Sequence, residues 1–193
     1  VAYSPDGQQL ASASSDNTVK LWNAASGKCT HTLEGHKGWI GSVAYSPDGQ
    51  QLASAGSDNT VKLWNAASGE CTRTLKGHKS SVRSLVYSPD SQQLASASYD
   101  KMVKLWNALS GECTRTLEGH ENSVFSVACS SDGQQLASAS SDNTIRIWEV
   151  TTGECLQVID DRVCAGLNIT GTVGLSKGQR TALKLMGAIE HDD

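Results

Sequence analysis

Apolar and polar residues alternate in runs of five or six along most of the chain, and the same runs return every 42 positions. In residues 35–76 the runs are Ile40–Tyr45, Gln51–Ala55, Thr60–Trp64 and Cys71–Leu75. Gln51–Ala55 alternates apolar and small residues, Thr60–Trp64 is rich in β-branched and aromatic residues, and each run is predicted to be a strand. Turn chemistry separates them. Ser46-Pro47-Asp48-Gly49 offers a Pro to fix φ and a Gly to supply φ > 0. Ser57-Asp58-Asn59 is predicted to be a tight hairpin, with Asp and Asn both tolerant of left-handed backbone. Ser68-Gly69 marks a third turn, and by the same reading the residue after each Trp leaves its strand.

Val1, Val43, Leu85 and Val127 open successive copies of this unit, and Trp22, Trp64, Trp106 and Trp148 keep the same step. The first two copies share 34 of 42 residues. A period of about 40–45 residues built from four short strands predicts propeller blades, each a small sheet that cannot bury both faces alone. The expected fold is therefore all-β, with four blades at approximately 1–34, 35–76, 77–118 and 119–160 in one domain over 1–160. Val1 falls in mid-strand by comparison with the later copies. The expectation is an incomplete ring, its open edges covered by further blades upstream or by self-association.

The Gly-His pair, Ser-Pro-Asp-Gly, Leu-Ala-Ser, Ser-Asp and the strand-ending Trp together resemble the WD-repeat β-propeller family over residues 1–160. The naming dipeptide is absent, since Asn23, Asn65, Asn107 and Glu149 follow the tryptophans. The resemblance implies a hydrogen-bonded tetrad in each blade. Those tetrads are His36, Ser54, Asp58 and Trp64; His78, Ser96, Asp100 and Trp106; and His120, Ser138, Asp142 and Trp148. The first copy carries Ser12, Asp16 and Trp22 without a His. The resemblance also implies that the third and fifth residues after the His, and the one before the Asp, line the top face around a central channel.

Those are the positions where the copies disagree. Trp39, Arg83, Tyr99 and Phe125 are expected there, replacing small residues found in sister copies. Aromatics and Arg are the side chains that most often anchor interfaces. The set is therefore the candidate site for a protein or peptide partner.

Composition narrows the function classes. The chain has 193 residues, and 16 basic against 20 acidic residues give a formal net charge of −4, which argues against a nucleic-acid partner. No apolar run of about 18 residues predicts a membrane span. Cys29, Cys71, Cys113 and Cys155 recur at one position of successive copies, too far apart for the ~7 Å reach of a disulfide or for a shared metal. With Cys129 and Cys164 they are expected to be small, partly buried free thiols in a reducing, cytoplasmic setting. No phosphate-loop spacing occurs, and no cofactor is expected.

Ser, His and Asp could in principle form a hydrolase triad. A set copied in three blades has the logic of a structural lock, so the chain is expected not to be an enzyme.

Residues 161–193 break the period. Leu167–Thr170 is predicted to be a strand, and Ser176-Lys177-Gly178-Gln179 a capping box opening a short helix near 177–186. The tail from Asn168 to Glu190 also resembles the C-terminal tail of fungal and cyanobacterial NACHT-type signalling NTPases carrying WD repeats. That resemblance implies a ligand-sensing module of a signalling NTPase; the alternatives are a constitutive scaffold or a substrate adaptor.

Overall fold

The computed structural model describes residues 1–160, and the fold is all-β: four sheets of four antiparallel strands, each sheet one sequence copy. The first comprises β1 (Ala2–Tyr3), β2 (Gln9–Ala13), β3 (Val19–Asn23) and β4 (Cys29–Leu33). The second comprises β5 (Ile40–Tyr45), β6 (Gln51–Gly56), β7 (Val61–Asn65) and β8 (Cys71–Leu75). The third has β9 (Val82–Tyr87), β10 (Gln93–Ser98), β11 (Val103–Asn107) and β12 (Cys113–Leu117). The fourth has β13 (Val124–Cys129), β14 (Gln135–Ser140), β15 (Thr144–Glu149) and β16 (Cys155–Asp160). One compact unit spans Val1–Val158; a second, Ile159–Asp193, is described only through Asp160. The strand expected at 167–170 and the helix expected near 177–186 lie outside the described residues.

Period-two alternation decides how the sheets stack. Along β6, Leu52 and Ser54 face the preceding blade, while Ala53 and Ala55 face the following one. Three cores result, one between each consecutive pair of blades. The first joins Val19, Leu21 and Leu33 to Val43, Tyr45 and Leu52. The second joins Val61, Leu63 and Leu75 to Leu85, Tyr87 and Leu94, and the third Val103, Leu105 and Leu117 to Val124, Val127 and Leu136. Each such side chain contributes roughly 1.5–3 kcal/mol on burial, so the copies stabilise one another. The first strands of neighbouring blades, β5, β9 and β13, pack closely, placing them at the inner edges.

The outermost faces differ. Tyr3 is 65% exposed where its counterparts Tyr45 and Tyr87 are 9% and 5%, and Ile145 is 42% exposed where Val19, Val61 and Val103 are 0%.

The third blade interface also departs from the other two. Tyr45 packs with Ala2 and Ala66, and Tyr87 with Ala44 and Ala108. At the third interface Cys129 replaces the Tyr, and Val86 and Val150 replace the two alanines. Two added valines offset the lost ring, leaving a residual cavity of about 10 Å³ among these residues.

Two local readings need correction. In the Ser57-Asp58-Asn59 hairpin only Asn59 is left-handed, at φ 66°; Asp58 instead accepts hydrogen bonds from the Thr60 backbone (3.1 Å) and hydroxyl (2.7 Å). The residue after Trp does not leave the strand, for Asn65 still pairs with Gln51. Its Oδ1 then accepts from the Ala67 and Ser68 amides at 3.0 and 2.9 Å, which ends the strand.

Candidate functional site

The ends of the blades differ in what builds them. The Ser-Pro-Asp-Gly turns close one end, where Gly49 (φ 72°) donates its amide to the Ser46 carbonyl at 2.8 Å. Clefts of about 240 and 310 Å³ open there between the first three blades. Their lining is largely turn residues repeated from copy to copy, such as Asp6, Asp48 and Asp90; the second cleft differs in carrying Ser91 and the exposed Leu109 where the first has Gly49 and Ala67.

The other end carries the tetrads. His36 Nδ1–H donates to Asp58 Oδ2 at 2.9 Å, Ser54 Oγ–H donates to His36 Nε2 at 2.8 Å, and Trp64 Nε1–H donates to Ser54 Oγ at 2.8 Å. These directions require a neutral imidazole carrying its proton on Nδ1. The third blade repeats the set with His78–Asp100 at 2.8 Å, His78–Ser96 at 2.7 Å and Trp106–Ser96 at 2.8 Å. In the fourth, His120–Asp142, His120–Ser138 and Trp148–Ser138 are all 2.8 Å. In the first blade Trp22 donates to Ser12 at 2.8 Å, and Asp16 caps Thr18.

Burial and charge act together in these networks. Burial lowers the His36 pKa from its ordinary 6.5, against the opposing pull of Asp58. Burial alone would raise Asp100, yet hydrogen bonds from His78 and the Lys79 amide hold its carboxyl down at about 2. Asp58 and Asp142 are lowered in the same way, their backbone and hydroxyl donors outweighing desolvation. Ser54, Ser96 and Ser138 are at most 1% exposed, each with its hydroxyl engaged by both His and Trp. No substrate carbonyl can reach them, so the geometry is that of a lock between strands.

Beside the tetrads, at the inner edges, lie the residues that vary between copies. β9 and β13 each insert one extra residue opposite the second strand: Val82 pairs with Ser98 and Ser84 with Ala97, leaving Arg83 unpaired. Phe125 is skipped likewise between Val124 and Ser126, and Gly41 between Ile40 and Ser42. A bulge re-aims the side chain it carries. Tyr99 follows β10, and its amide donates to the Ser81 carbonyl at 3.0 Å. Trp39 precedes β5, and its carbonyl accepts from the Ser57 amide at 2.9 Å.

These four side chains, drawn from three blades, form one stack. The Arg83 guanidinium lies 4.6 Å from the Trp39 ring centroid and 5.3 Å from that of Tyr99. Tyr99 meets Phe125 edge to face, with centroids 5.7 Å apart and planes at 88°. Phe125 is 47% exposed and the other three are half-buried. Each cation–π and edge-to-face contact contributes about 0.5–1 kcal/mol, enough to hold the stack in one arrangement.

Sequence reasoning missed the part played by Gly41. A Cβ there would stand 2.9 Å from Trp39 Cζ3 and 3.4 Å from an Arg83 guanidinium nitrogen. Where the next two blades carry Arg83 and Phe125, the second leaves a gap that the Trp39 ring occupies. The signal was present, since Gly41 is the only glycine among the three bulge positions.

The cysteines Cys29, Cys71, Cys113 and Cys155 are exposed rather than partly buried, because they open β4, β8, β12 and β16, the fourth strand of each sheet; among the described cysteines only Cys129 is partly buried.

Comparison with known proteins agrees with this architecture. Residues 1–108 of the 193 match the family described as IFT122 first beta-propeller, and residues 111–149 match the WD domain, G-beta repeat. The chain is 50% identical over 40 residues to a probable serine/threonine-protein kinase PkwA of Thermomonospora curvata, covering 21% of this chain and 5% of that protein. It is 49% identical over 43 residues to the periodic tryptophan protein 2 homolog of Dictyostelium discoideum, covering 22% and 5%. To human WD repeat-containing protein 86 it is 42% identical over 40 residues, covering 21% and 11%. The matched stretches are thus about one blade long and a small part of each relative. With its four repeated sheets and family match over more than half its length, this chain belongs to the WD-repeat β-propellers, which generally serve as protein-interaction modules.

Proposed function

We propose that this chain is a non-catalytic recognition module that binds a protein or peptide partner at the rim formed by Trp39, Arg83, Tyr99 and Phe125. The observation that carries the reading is a contrast. Closely similar copies, the first two sharing 34 of 42 residues, diverge where four interface-forming side chains meet in one stack. Half-buried and exposed aromatics held in place before binding lose little entropy on docking, which favours affinity. The net charge of −4 supports a protein rather than a nucleic-acid partner. A further blade, from the same protein or another copy, covers the faces that carry Tyr3 and Ile145.

The proposed setting is the ligand-sensing part of a cytoplasmic signalling NTPase. It is supported by the tail string from Asn168 to Glu190, which lies outside the described residues. A constitutive scaffold or substrate adaptor is the second reading, favoured by a rim already stacked without a ligand. Peptides selected by display on the wild-type chain test the core of the proposal. Trp39→Ala and Arg83→Ala are each expected to weaken the selected peptides at least about tenfold. Unchanged affinities in both variants would remove the rim from the account.

A further inference from the structure

The guanidinium carbon of Arg83 lies over two aromatic rings from different blades. Trp39 and Tyr99 stack on it at 4.6 and 5.3 Å, yet among the described residues Arg83 makes no hydrogen bond or ion pair. An Arg immobilised in this way presents its N–H fork pre-aligned, and a planar or tetrahedral oxyanion is what that fork accepts in pairs. Stacking also lowers the side-chain entropy that binding would otherwise remove.

Charge around the fork points the same way. The third blade brings Lys79, Arg83 and Lys101 to this end, all on the loops and bulge that flank Tyr99. Among these loops of the third blade the acid is Asp100, and its carboxylate is already engaged. It accepts from His78 (2.8 Å), the Lys79 amide (2.8 Å) and the Met102 amide (3.1 Å). In the fourth blade Glu121 stands at the position of Lys79. The sister positions of Lys101 are Asn59 and Asn143, so the excess of positive charge is particular to this blade. Beside it, Phe125 is 47% exposed and offers an apolar contact anchored to Tyr99.

The geometry points to an acidic peptide as the partner: an anionic side chain clamped by Arg83, with a neighbouring apolar side chain packed on Phe125. This deepens the rim reading above and rests on it. A carboxylate from Asp or Glu and a phosphate on Ser or Thr share the required chemistry.

The test uses four libraries of nine-residue peptides, fixed at the central position as Glu, phosphoserine, Gln or Lys and randomised elsewhere. They are bound to the wild-type chain and to Trp39→Ala, Arg83→Gln, Arg83→Lys and Phe125→Ala, each first checked for a wild-type melting curve. Position 83 tolerates change because Gly41 and Phe125 occupy it in sister blades. The wild type is expected to retain the Glu or phosphoserine library about tenfold or more over Gln, and to reject Lys. A preference for phosphoserine over Glu assigns the anion to phosphate; the reverse, or parity, assigns it to carboxylate. Arg83→Gln is expected to abolish the preference and Arg83→Lys to reduce it. Phe125→Ala should lower retention while keeping the preference.

Equal retention of Gln and Glu libraries by the wild type, still dependent on Trp39, would overturn the acidic specificity and leave the rim standing. Retention of no library, or retention indifferent to Trp39 and Arg83 alike, would overturn both.

Discussion

Arg83 lies 4.6 Å over the ring of Trp39, although the two residues belong to different blades and are separated by a whole repeat. Each is a departure from its own sister copies, and the departures fit each other. The contact exists because Gly41, between them in sequence, leaves room for the indole.

Gly41→Ala is therefore expected to act at a distance from its own small volume. The new methyl would stand 2.9 Å from Trp39 Cζ3, so the ring must move off Arg83. The expected cost is about 1 kcal/mol in stability, the low end of overpacking, because the indole is only half-buried. A shift in tryptophan emission that Trp39→Phe abolishes would report the displacement; an unchanged spectrum would count against this packing.

Ser54→Ala and Ser12→Ala remove the same hydroxyl from two blades and should differ in consequence. Loss of the Ser54 hydroxyl orphans His36 Nε2 and Trp64 Nε1–H, both enclosed, for about 2–5 kcal/mol. Ser12 holds only the half-buried Trp22, so about 1 kcal/mol is expected. Denaturant midpoints measure both, and equal effects would contradict the networked role of His36.

Acid should weaken the fold in two stages. His36 has a folded pKa below 6.5, so the unfolded chain takes up its proton first and stability falls as pH drops below about 6.5. Asp100, held at about 2 against an ordinary 3.8, contributes stability that is present above pH 3.8 and lost as pH falls through 2. Asp58 and Asp142 act in the same direction. Melting temperature followed from pH 7.5 to 2.5 should decline throughout. A rise between pH 7 and 5.5 would mean that the imidazole is held charged, against the Ser54 and Trp64 geometry.

The third blade interface offers a test of packing by exchange. Cys129→Tyr alone should destabilise by about 1–3 kcal/mol, because Val86 and Val150 occupy the space of the ring. Adding Val86→Ala and Val150→Ala recreates the arrangement around Tyr87 and should recover most of the loss. A double-mutant cycle with near-zero coupling would show that the substitutions are independent.

Much of this was legible beforehand because the chain repeats. The four strands of each blade follow from period-two runs and turn residues, and the Cys71–Leu75 strand has the bounds read from sequence. The departures are local. The residue after each Trp is expected to leave the strand; Asn65 does make the turn, but from the last paired residue. Of the two residues tolerant of left-handed backbone only Asn59 adopts it, and the Asp58 carboxylate is the acceptor around which His36, Lys37 and Thr60 assemble. The bulges that carry Arg83 and Phe125 were not readable, since one extra residue in a short strand leaves no compositional trace. The exchange of Tyr for Cys129 was visible, but its compensation by Val86 and Val150 depends on which side chains meet across blades.

The rim as a recognition surface is most directly tested by the indole N–H resonances of the five tryptophans during titration with a display-selected peptide. Trp22, Trp64, Trp106 and Trp148 donate to serines in the blades, whereas Trp39 is stacked beneath Arg83. The account predicts a saturable shift of the Trp39 signal with the other four unmoved. A shift confined to the other four, or binding with Trp39 silent, would contradict it.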